Sequence, residues 1–64
     1  MKRIQFIIES LANEYAEQYM EGHGGSFTKE ELIDGFKAGF NGKNPPERYQ
    51  AFLAWQAGKR HAGR

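Results

Sequence analysis

Apolar residues recur at helical spacing in three stretches of the chain, and glycine- or proline-rich segments separate them. In the first, Ile4, Ile7, Ile8, Leu11, Tyr15 and Tyr19 follow one another at three- and four-residue steps. Acids and amides fill the gaps, which is the pattern of an amphipathic helix over about 2–21. Ala12, Ala16 and Met20 widen the stripe, and Gly22-His23-Gly24-Gly25 ends it with residues tolerant of positive φ. The second start is marked by Thr28 and, three residues on, Glu31, the spacing of a reciprocal capping box, with Phe27 and Leu32 placed as a hydrophobic staple. Helix 2 is expected over 29–41, with Leu32, Ile33, Phe36 and Phe40 inward and Gly42 as its stop.

Gly35 and Gly39 fall inside that helix on one face, each costing about 1 kcal/mol relative to alanine. Such a loss predicts a close backbone approach by a neighbouring helix at Gly39. The third start is read at Asn44-Pro45-Pro46-Glu47, with Asn44 as cap and Pro45 in the first helical position, giving a helix over 45–60. Its inward set is Tyr49, Phe52, Leu53 and Ala57, with Trp55 at the edge, expected to pack its indole near Gly39 with one side open to solvent.

The expectation is therefore an all-α domain of three helices. Residues 1–25 form an acidic amphipathic helix and Gly-rich loop, and residues 26–64 a basic helical hairpin. Helix 1 packs across the hairpin or against a second copy in a homodimer.

With 64 residues and no cysteine, neither disulfides nor a thiolate zinc site can supplement a small core. Nine aromatic residues are the main resource for burial. No apolar run is long enough to cross a bilayer, so no membrane partner is expected. The missing export signal and cysteine predict a cytoplasmic protein. A catalytic or metal site is not expected: His23 lies among glycines, His61 lies in a basic tail, and neither has a partner at ligand spacing. The chain is read as a binding protein without cofactors, not an enzyme.

Charge is divided along the chain. Residues 1–34 set Lys2, Arg3 and Lys29 against seven carboxylates, a net −4, and residues 35–64 set six cations against Glu47, a net +5. The two halves can attract one another, or the basic half can face an anionic partner. Lys37, Lys43, Arg48, Lys59 and Arg60, interleaved with Phe40, Tyr49 and Trp55, suit a phosphate-and-stacking surface for RNA. Glu14, Glu17 and Glu21 on helix 1, with Trp55, are candidates for contact with a protein.

Gly35-Phe36-Lys37-Ala38-Gly39-Phe40-Asn41-Gly42, then Asn44-Pro45-Pro46 and Trp55-Gln56-Ala57-Gly58-Lys59-Arg60, resemble the ribosome modulation factor family over residues 35–60. Small phage-encoded proteins share the layout. The resemblance implies a helix pair that binds the small ribosomal subunit, with Lys37, Lys43, Arg48, Lys59 and Arg60 as the charges facing ribosomal RNA. The alternative it leaves open is a phage-type inhibitor or adaptor that binds a host or defence protein. Unlike the family, this chain carries an acidic helix in front of the matching segment.

Overall fold

The computed structural model describes residues 2–22, 25 and 27–63, with side chains in the first helix from Ile7 onward. The fold is all-α: α1 (Lys2–Gly22), α2 (Lys29–Phe40) and α3 (Tyr49–Ala62). None of these helices is long and apolar enough to cross a membrane. The expected roles of Ile4 and of His23-Gly24 lie outside the described side chains and residues.

The start and stop of α2 follow from local chemistry. Thr28 Oγ1 accepts from the Glu31 amide at 3.2 Å while Glu31 Oε1 accepts from the Thr28 amide at 3.3 Å, closing the capping box. Phe27 packs against the core cluster that contains Leu32, as a staple requires. At the other end Gly42 takes φ +73°. Its amide donates to the Gly39 carbonyl at 3.2 Å and that of Lys43 donates to Ala38 at 2.9 Å, the two bonds of a Schellman motif.

The third helix begins later than its Asn-Pro-Pro-Glu segment suggests. A residue that precedes proline is driven out of the α region, and here this applies to both Asn44 and Pro45. Residues 43–46 are therefore non-helical, and the helix starts after Arg48, whose side chain does not cap it. This segment runs back beside α2: Asn44, Pro46, Glu47 and Arg48 share a shallow concavity with Glu31, Asp34, Gly35 and Ala38. Arg48 Nε then meets Glu31 Oε2 at 3.1 Å, at the N-terminal end of α2. The expected hairpin is thus replaced by two helices that cross in the same sense, with Gly35 against Ala51 and Gly39 against Trp55.

That crossing rests on three glycines. A Cβ on Gly35 would lie 2.5 Å from the Ala51 carbonyl oxygen. A Cβ on Gly39 would overlap the carbonyl of Trp55, and one on Gly58 the carbonyl of Phe36. Two backbones this close leave room only for small residues between them, so the buried face of α3 is Ala51, Ala54 and Gly58. Tyr49, expected inside, is 67% exposed, and Phe52, Leu53 and Ala57 flank the contact half-buried. The close approach expected at Gly39 is present.

The core is completed by Phe36 and Leu32 from α2 and by Ile8, Ala12 and Ala16 from α1. α1 lies mainly on α2 and touches α3 little. Its aromatic residues form the seam: Tyr15 stands 5.7 Å from the Phe36 ring, and Tyr19 meets Phe27 edge-on at 5.4 Å. Ile7, expected on the inward stripe, is exposed.

Burial raises the Tyr15 phenol above its ordinary value of 10.0, and the nearby Tyr19 adds to this. Because the folded state holds this proton more tightly than the unfolded chain, the contribution is intact below about pH 10 and lost as pH rises further. Alkaline unfolding above about pH 10 should therefore be shallower in Tyr15→Phe than in the wild type, measured by circular dichroism. Equal alkaline profiles would contradict it.

Candidate nucleic-acid interface

The five cations picked out in the sequence occupy different surroundings. Lys37 points toward α1, its Nζ 3.7 Å from Glu9 Oε1. Arg48 is committed to Glu31, the same carboxylate that closes the capping box. These two pairs join the acidic and basic halves of the chain and partly neutralise them. Such partly exposed pairs are worth at most about 1 kcal/mol each, yet they direct both cations toward internal carboxylates.

Lys43, Lys59 and Arg60 are different. All three are exposed. The indole Nε1 donates to the Lys43 carbonyl at 2.8 Å, joining α3 to the last residue of the Schellman motif. Lys59 Nζ stands 5.0 Å from the centre of the Trp55 ring system, within cation–π range. Trp55, Gln56, Lys59 and Arg60 line one shallow concavity. No Asp or Glu occurs anywhere in α3, so nothing on that helix offsets these charges. Among the described residues, none of the three cations forms an ion pair with a carboxylate.

The indole does not fill the space beside Gly39, as its position in the sequence suggested. The backbone of Trp55 occupies that space instead, because the helices approach too closely for any side chain to enter. The ring is turned outward onto the loop and stacks on Phe52, with centroids 5.6 Å apart and planes 17° from parallel. Phe52, expected on the inward face, is thus part of this surface. Its signal was its place three residues before Trp55.

The acids proposed for protein contact lie on α1. Glu14, Glu17 and Glu21 are all exposed, and Glu17 is tied to Lys29 at 3.0 Å. Glu9, Ser10, Asn13, Glu14 and Glu17 line a shallow groove along that helix. Trp55 belongs to the opposite chemistry, among the cations of α3. No group of three His, Asp or Glu side chains that could hold a metal is found among the described residues. No protein-family model, curated protein or solved structure matches the chain.

Proposed function

We propose that this protein is a non-enzymatic, RNA-associated regulator that binds ribosomal RNA through the surface formed by Lys43, Trp55, Lys59 and Arg60. The observation that carries this reading is the exposed, unneutralised Lys59 and Arg60 beside one aromatic side chain whose N–H is bonded to the backbone of the exposed Lys43. Phosphate backbones are recognised by such groups, and the binding energy comes largely from released counterions. The resemblance of residues 35–60 to ribosome modulation factor points the same way. Of the five cations in that segment, Lys37 and Arg48 are assigned here to holding the fold together.

Titration of a fluorescent single-stranded fragment of small-subunit RNA at several salt concentrations tests the proposal. Three phosphate contacts predict a slope of log affinity against log salt of roughly −2. Lys59→Ala with Arg60→Ala should bring it to roughly −0.7, while Lys37→Ala should leave it nearly unchanged. Absence of salt-dependent binding would remove the RNA reading. The second reading, a basic protein docked on α1, is favoured by Glu14 and Glu21, which are exposed and form no ion pair among the described residues. A partner retained on the protein in nuclease-treated lysate, and lost in a Glu14→Gln, Glu21→Gln variant, would support it.

A further inference from the structure

We infer that the Trp55 surface recognises the phosphate backbone and is closed to base stacking, with Trp55 acting as a positioning residue. This rests on the RNA-binding reading above and narrows its ligand to phosphodiester charge in place of nucleobases. An indole engages a base through either ring face or through its N–H. Here both the N–H and the ring already have partners. The N–H is spent on the Lys43 carbonyl at 2.8 Å. One face is stacked on Phe52, nearly parallel at 17°. Lys59 Nζ stands over the ring, 5.0 Å from its centre.

Helix geometry assigns Phe52 and Lys59 to opposite faces of the ring. Side chains on a helix lean toward its N-terminus, so Trp55 leans over Phe52, three residues earlier, and Lys59 leans back over Trp55 from four residues later. A base would have to displace Lys59, forfeiting a contact worth about two- to fivefold in affinity and moving a cation needed for phosphate. What the ring does supply is placement. It sets the Lys59 ammonium at a defined point and fastens the Lys43 loop beside it, with Arg60 adjacent.

Two probes of equal length separate phosphate from base: a single-stranded oligouridylate and an abasic ribose-phosphate oligomer, each titrated by fluorescence anisotropy against the full chain. Trp55 is the only tryptophan, so intrinsic emission reports on this ring alone. The expected result is that both probes bind within about threefold of each other, with no base-dependent quenching, because a stacked base would add about fivefold or more. Lys59→Ala uncovers the ring. That variant should bind the abasic oligomer more weakly and prefer the uridylate by about fivefold or more, with quenched emission.

A wild-type preference of tenfold or so for the uridylate, with quenching, would overturn the inference while leaving RNA binding intact. A Lys59→Ala variant that still treats the two probes alike, without quenching, would overturn the assignment of Lys59 as the cover. Failure of the wild type to bind either probe would overturn the RNA reading and this inference with it.

Discussion

Replacing Gly39 with leucine should cost the domain about 3 kcal/mol, the upper end of the usual penalty for overpacking, although leucine is the better helix former. The reason lies in the first atom added. A Cβ at Gly39 would occupy the space of the Trp55 carbonyl oxygen, an atom fixed in the hydrogen-bonded backbone of α3 that cannot rotate away. The helices would have to separate, and with them the reciprocal contacts of Gly35 on Ala51 and of Gly58 on Phe36. A domain of 64 residues has a total stability of only about 3–10 kcal/mol, so the variant should be largely unfolded or melt far earlier. Urea denaturation followed by circular dichroism provides the measurement. Gly39→Ala should show much of the same loss, because the collision begins at Cβ. Gly22→Ala, with open space around the added atom, should change stability by no more than about 0.5 kcal/mol. A Gly39 variant as stable as the wild type would rule out the close crossing.

Truncation of Phe36 to alanine is the other substitution with a large expected effect, about 3–5 kcal/mol. Among the described residues Phe36 and Leu32 are the largest fully buried side chains, and Phe36 is 1% exposed. Its ring joins all three helices, resting against Tyr15 of α1 at 5.7 Å and His61 of α3 at 5.5 Å. Removing it opens a cavity that the surrounding backbone cannot close, because Gly58 is already seated on the Phe36 carbonyl. α1, which touches α3 little, would lose its main attachment. Phe36→Leu keeps most of the volume and should cost about 1.5 kcal/mol or less. Thermal melts of the two variants would show the difference, and a Phe36→Ala midpoint close to the wild type would contradict the place of this ring at the centre of the core.

The bounds of α2 were legible in the sequence, whereas the Asn44-Pro45 start read for α3 was displaced to Arg48. Thr28 and Glu31 announced a capping box and formed it, and Gly42 announced a stop and took positive φ in a Schellman motif. The paired glycines of α2, costly in isolation, signalled a helix crossing, and the crossing is there. These succeed because capping, φ preference and propensity act between neighbours along the chain.

Two things were decided only in three dimensions. The first is the buried face of α3: apolarity pointed to Tyr49, Phe52 and Leu53, but a backbone separation set by glycines on both helices selected Ala51, Ala54 and Gly58 and left the large rings outside. The second is which cations remain available. Lys37 and Lys59 are indistinguishable as letters, yet the same-sense crossing and the return of residues 43–48 along α2 give Arg48 a carboxylate, and the packing of α1 gives one to Lys37. Lys43, Lys59 and Arg60 are left with an indole. Charge pairing depends on distances between segments far apart in the chain, and only the packed structure sets those distances.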